Sequence, residues 1–174
     1  LSVQFINFLK RIIYGLFYEK AWGVNYTKIK NINPQKRIFK YLDKTRKGIS
    51  ALKIDKKYSF YADPFILDSK IIVEGLLKKK AKGELLIIDQ NKNFIIEKLK
   101  YKRNHLSYPY TLKCSKGTFI YPDSYSLKKP ILYYINKFNN FDSKEIKGLH
   151  EGLSDPSVIL HKNNFYLFLN FSNE

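Results

Sequence analysis

Beyond residue 60 apolar residues gather in short runs broken at regular intervals by polar turns, a pattern that predicts strands rather than helices. "KIIVEGLL" (70–77), "ELLIIDQ" (84–90) and "FIIEKLKY" (94–101) are separated by "KKKAKG" and "NKN", both of hairpin length. The same rhythm returns in "YTLKC", "TFIYPDS", "ILYYINK" and the less regular "FDSKEIKGL". It begins a third time in "SVIL" and "NFYLFLN". Only the first 21 residues follow another period. There Leu1, Phe5, Phe8, Leu9, Ile12, Ile13, Leu16 and Phe17 form the apolar stripe of a helix, with Lys10 and Arg11 interrupting any signal-peptide core.

The strand pattern repeats as a unit. "YADPFILDSKIIVEG", "LSYPYTLKCSKGTFIYPDS" and "LSDPSVILHKNNFYLFLN" align on Pro64, Pro109 and Pro156, which are 45 and 47 residues apart. Units of four strands at that spacing are propeller blades. The expectation is an all-β chain: a partial β-propeller of about two and a half blades over residues 22–174, after one N-terminal α-helix or linker over 1–21. Because so few blades cannot close a ring, the sequence reads as C-terminally incomplete.

Composition agrees with this reading. The 14 Tyr and 13 Phe favour strands. A formal net charge of +17 invites a polyanionic partner. Yet the lysines are spread along the whole chain, the tightest run (78–80) lies in a turn, and the abundance of Lys, Asn and Ile is what an AT-rich genome imposes. Nucleic acid therefore ranks last among partners, behind carbohydrate or glycolipid and peripheral contact of the basic helix with an anionic membrane. Cys114 stands alone, so no internal disulfide forms, and a reducing, cytoplasmic setting is the default. His105, His150 and His161 lack metal-ligand spacing, and neither a glycine-rich phosphate loop nor a nucleophile elbow is present. No metal or cofactor is expected.

The chemistry-bearing residues cluster around the repeated prolines. In each unit the residue before Pro is Asp63, Tyr108 or Asp155. With Pro opening the first strand of a blade, those residues sit at the mouth of the central channel. Carboxylates from different blades then face one cavity, as glycoside hydrolysis requires. A capping role for each Asp within its own turn is the structural alternative. Glu74 interrupts an apolar strand and points to the same cavity. Tyr108, Tyr110 and Tyr121 are candidates for stacking on sugar rings or for packing.

These motifs resemble a known family. "YADPFIL", "HLSYPYTL", "FIYPDS" and "SDPSVILHKNNFYLF" look like the five-bladed propeller domain related to glycoside hydrolase family 43. They are most similar to bacterial relatives of the N-terminal domain of glucosamine inositolphosphorylceramide transferase. The matches are Ala62-Asp63-Pro64-Phe65, Glu74 with Lys82-Gly83, His105 to Pro109, Pro122-Asp123-Ser124 and Asp155-Pro156, with "EKAWGV" resembling the segment that leads into the propeller. The resemblance implies Asp63 as general base and Asp155 as the carboxylate that orients it, with Glu74, His105, Tyr108 and Asp123 holding substrate. Its general acid is a Glu of a later blade. Two positions depart from the pattern: Gly75 replaces the second Glu of a "FEE" strand, and Asp123 replaces a Glu. The implied function is a glycosidase-like domain of glycan or glycolipid metabolism. The alternative is a non-catalytic sugar-binding or scaffolding module attached to a glycan-modifying transferase.

Overall fold

The structure is a computed structural model. It describes residues 5, 6, 8–10, 12, 22–27, 49–80, 82–102, 104–115, 117–123, 125, 127, 129–136, 140–149, 152–162 and 164–171. The chain is all-β, with four small antiparallel sheets that do not close on themselves. A two-residue ribbon comes first, β1 (Asn25–Tyr26) with β2 (Ser50–Ala51). The first large sheet is a meander of β3 (Tyr58–Leu67), β4 (Lys70–Leu77), β5 (Lys82–Asp89) and β6 (Phe94–Leu99). A second meander follows with β7 (Ser107–Cys114), β8 (Gly117–Asp123), β9 (Ile131–Asn136) and β10 (Phe141–Glu145). The last sheet pairs β11 (Leu153–His161) with β12 (Asn164–Phe171). Of the expected N-terminal helix, residues 5, 6, 8–10 and 12 are helical; the rest of it, like His150, lies outside the described residues.

Alternation within β4 and β5 decides how the sheets stack. Both strands are buried on both faces, as central strands of a covered sheet must be. Ile72, Leu85 and Ile87 point one way and meet Leu106, Ile120, Ile131 and Tyr133 of the second meander. Val73, Leu86 and Ile88 point the other way, onto Tyr58 and Tyr61 and under Val24 and Leu52 beside the ribbon. Leu52 N–H donates to the Val24 carbonyl at 2.9 Å, which seats that cover. The ribbon left no period in the sequence because two-residue strands are too short to show one.

The first strands of the three larger units lie side by side and are tied across the sheets. Thr111 Oγ1 donates to the Ile66 carbonyl at 2.9 Å, Lys113 Nζ pairs with Asp68, and the Tyr110 hydroxyl donates to the Val158 carbonyl at 2.9 Å. Phe65 packs edge-on against the rings of Tyr108 and Tyr110, at 5.1 and 5.5 Å. These strands therefore face one another through the residues that follow each proline.

One expectation is corrected. Pro64 does not open its strand: β3 begins at Tyr58, so the Asp-Pro pair lies in the middle of a ten-residue strand. Pro109 and Pro156 likewise sit inside β7 and β11. The chain tolerates this because a missing N–H costs no ladder bond where the ladder is already broken by a bulge.

The two-sided burial of β5 sets a clear stability test. Leu85→Ala, at a position with no exposure, is expected to lower unfolding free energy by about 2–5 kcal/mol in urea titration. Ile159→Ala, half exposed on β11, is expected to change it by less than about 0.5 kcal/mol.

Candidate active site

The same backbone device is used three times. Asp63, Tyr108 and Asp155 have φ of 48°, 43° and 48°, the left-handed region that residues with a Cβ avoid. Each is followed by proline, and each Xaa-Pro pair opposes a single residue on the next strand. The register steps from Ala62↔Glu74 to Phe65↔Ile72, from Ser107↔Asp123 to Tyr110↔Tyr121, and from Ser154↔Asn170 to Ser157↔Phe168. Such two-against-one bulges re-aim a side chain relative to its strand. A left-handed non-glycine residue costs about 1–3 kcal/mol and persists where the surroundings over-determine it, typically at functional sites.

The register also identifies a second set of residues. The partner of the residue just before each bulge is Glu74, Asp123 or Asn170. Each unit thus contributes one residue from its bulge and one polar residue from its second strand: Asp63 with Glu74, Tyr108 with Asp123, Asp155 with Asn170. Asn170 Nδ2 donates to Asp155 Oδ2 at 3.0 Å. Glu74 is hydrogen-bonded to Asp63. Tyr108 departs from this pattern because its ring is turned onto Phe65.

Glu74 is the chemically most perturbed member. It is 6% exposed, and burial, together with the neighbouring charge of Asp63 and its hydrogen bond, raises its carboxyl from the ordinary 4.5 to about 7. The more distant Asp123 acts in the same direction. Glu74 therefore releases its proton only near neutral pH, because burial and the neighbouring Asp63 both oppose its negative charge.

His105 is fixed beside it. Gly83 N–H donates to His105 Nδ1 at 2.9 Å, so Nδ1 is the acceptor and the ring proton resides on Nε2. That Nε2 faces Glu74 Oε1 at 3.4 Å. Burial lowers the His105 pKa, the charge of Asp123 opposes this, and Lys82 lowers it further. Protonation at Nδ1 would also break the bond from Gly83. Gly83 itself has no room for a side chain: a Cβ there would stand 2.5 Å from the Leu106 carbonyl and 2.8 Å from Glu74 Oε1. This close approach accounts for the "KG" dipeptide at the start of β5.

Asp123 joins the second sheet to the third. Its carboxylate accepts the Tyr125 amide at 2.9 Å and the backbone amide of Asp155. Burial nonetheless raises its pKa, and the charge of Asp155 adds to the rise. Burial and Asp123 push the nearby Tyr121 hydroxyl up to about 12. The structure thus brings Asp63, Glu74, His105, Asp123 and Asp155 into one connected cluster, and it places the Tyr108 backbone at the equivalent bulge. Gly75 lies on the opposite face of β4 from Glu74, against Leu86 and Tyr58, so it takes no part in the cluster. Sequence reasoning did not single out Asn170. Counting from Pro156 by the same offset that separates Pro109 from Asp123 would have found it.

The cluster offers several carboxyl groups, one of which titrates near neutral pH, an imidazole with its proton on Nε2, and an amide. That set can accept and donate to vicinal hydroxyls and can exchange a proton with water. Among the described residues no group of three His, Cys, Asp or Glu side chains could hold a metal ion, and no helix is long and apolar enough to cross a membrane. Comparison of the chain with family models, curated proteins and solved structures returns no match.

Glu74 generates a pH prediction. A carboxyl with a raised pKa keeps a proton that the unfolded chain has released, so its contribution favours the fold at low pH and is lost as pH rises from about 4.5 to about 7. Glu74→Gln removes that loss. The variant is expected to match the wild type at pH 4.5 and to exceed it at pH 8 by on the order of 2–3 kcal/mol in urea titrations. A difference that does not change with pH would remove the proton from Glu74. For Gly83→Ala, the blocked approach to Leu106 predicts a loss of about 1–3 kcal/mol in the same assay.

Proposed function

We propose that the chain is a carbohydrate-directed domain. In this reading its sheets are successive blades of a five-bladed propeller related to glycoside hydrolase family 43, and the bulge residues line the mouth of the channel. The observation that carries the proposal is the hydrogen-bonded Asp63–Glu74 pair, in which burial and mutual repulsion keep one proton near neutral pH. Pairs of carboxyls whose environments divide the acid and base forms between them are the working parts of glycoside chemistry. The recurrence of the Xaa-Pro bulge at 45- and 47-residue intervals, in neighbouring first strands, supports the blade assignment.

In the catalytic form of this reading Asp63 is the general base, taking a proton from water on one side of the sugar. Glu74, protonated and backed by His105, keeps a second negative charge away from Asp63 and orients it. Asp155, held by Asn170, supplies the further carboxylate across the cavity, and Asp123 with Tyr108 lines the wall between them. Substrate hydroxyls meet carboxylate acceptors on three sides.

A specific observation favours a second reading, a non-catalytic sugar-binding or scaffolding module attached to a glycan-modifying transferase. Glu74 is hydrogen-bonded to Asp63, whereas acid and base that flank a glycosidic bond stand about 5–9.5 Å apart. Glu74 is therefore not the acid opposite Asp63.

Titration with a panel of free monosaccharides and turnover of nitrophenyl glycosides separate the readings. With turnover, Asp63→Asn and Asp155→Asn are each expected to lower kcat by about 10²–10⁴-fold. Binding that is lost in the same variants, with no turnover in the wild type, selects the module. Neither binding nor turnover on any sugar of the panel would falsify the carbohydrate reading.

A further inference from the structure

The face of the first meander turned away from the second carries a feature that the carboxylate cluster does not use. The turn before β3 and the turn after β4 lie side by side, joined by a bond from Lys78 N–H to the Lys57 carbonyl at 3.1 Å. Between them and the end of β6 is a depression of about 530 Å³ whose floor is Tyr58 and Glu84. Its walls are Lys56 and Lys57 from one turn, the lysines of the 78–80 turn from the other, and Lys98 and Lys100 from β6 and just beyond. A second depression of about 720 Å³ continues past Lys56, Lys57 and Lys98 and adds Lys53. The lysines scattered through the sequence here converge on one groove.

The groove has little negative charge to answer them. The carboxylates among its lining residues are Asp55 and Glu84, and both are engaged. Asp55 Oδ1 accepts the Lys57 amide at 2.9 Å. Glu84 is buried, accepts the Tyr58 hydroxyl at 3.0 Å and pairs with Lys100 at 3.3 Å. Lys98 Nζ lies 5.7 Å from the centroid of the Tyr58 ring, which keeps that cation at the edge of the floor. Like charges crowded around a concave surface repel one another and focus a positive potential into it, an arrangement that an anion relieves.

We propose that this groove is an anion site for a ligand carrying several closely spaced phosphates. Lysine ammonium groups are compact point charges with three donors each, suited to phosphate oxygens without the planar geometry that arginine demands. Concavity favours a compact phosphate cluster that enters the groove, whether free or on a lipid headgroup, over a flat charged surface. Among the described residues a single exposed aromatic, Phe94, lines it, where sequence-tolerant nucleic-acid binding uses a series of stacking rings. The site is independent of the sugar reading, because it lies on the opposite face of the sheet from Glu74.

Calorimetry with inorganic tripolyphosphate, and sedimentation with phosphatidylcholine vesicles containing a phosphoinositide, test the site and separate its two sources. The groove variant carries Lys57→Gln, Lys79→Gln and Lys98→Gln. A control of equal net charge carries Lys144→Gln, Lys147→Gln and Lys162→Gln, which lie outside the groove. The groove variant is expected to bind about ten-fold more weakly than wild type and the control within about two-fold, as three lost contacts of about 0.5 kcal/mol each imply. Loss in the vesicle arm alone assigns the phosphates to a headgroup; loss with tripolyphosphate assigns a free ligand. Equal weakening in both variants, or no binding of either ligand by the wild type, overturns the proposal. A single-stranded oligonucleotide that binds more tightly than tripolyphosphate, with that binding lost in the groove variant, replaces it with a nucleic-acid site. Unchanged thermal unfolding of both variants ensures that the comparison reads charge and not folding.

Discussion

A left-handed residue immediately before a proline, placed inside a strand, is costly three times over. The Cβ clashes at positive φ, the proline ring narrows the freedom of the residue before it, and the ladder loses a donor. The fold absorbs these costs by one means: a two-against-one bulge that leaves the pair outside the regular ladder. Everything at the candidate site follows from this. Asp63, Tyr108 and Asp155 are presented by their bulges, and the residue paired just before each bulge becomes its cross-strand companion. The packing of β3, β7 and β11 side by side then brings three local irregularities into one cluster.

Electrostatics divides the first sheet into two faces of opposite character. On one, burial and the neighbouring Asp63 raise Glu74 to about 7, and burial also raises Asp123 of the adjoining sheet. On the other, lysines converge over a floor whose single buried carboxylate is already engaged. A chain of net charge +17 thus keeps a cluster of carboxyl groups within a few residues of a lysine-lined groove. The β-sheet makes this possible because neighbouring residues of one strand point to opposite sides. Glu74 and the buried Glu84 lie on opposite faces of the same strand pair for that reason.

The sequence was informative where a physical period or a fixed spacing carried the signal. Strand β4 was legible from end to end because "KIIVEGLL" is bounded by two unmistakable turns. Asp63, Asp155, Glu74, His105 and Asp123 were picked out by repeat and motif, and the structure gathers them into one cluster. Elsewhere the signal was absent or misread. The repeated prolines suggest strand starts because a bulge has no periodicity of its own. Gly83 looked like turn punctuation, whereas its role is to admit His105 and the Leu106 carbonyl at distances no Cβ allows. Tyr108 shared the spacing of the two aspartates, but its ring finds a better surface on Phe65 than in the polar cluster.

By itself the sequence determined the class of the fold and its repeat, because hydrophobic alternation and turn chemistry act over a few residues and are written locally. It also determined which side chains were available for acid–base chemistry. Tertiary structure decided the rest. Whether Glu74 holds a proton depends on how close Asp63 comes and how much water is excluded, and neither distance is encoded by spacing along the chain. Lysines separated by more than forty residues form a groove only because two turns and the end of β6 meet at one corner of a sheet. Charge and proton affinity depend on neighbours in space, and those neighbours are fixed only when the sheets pack.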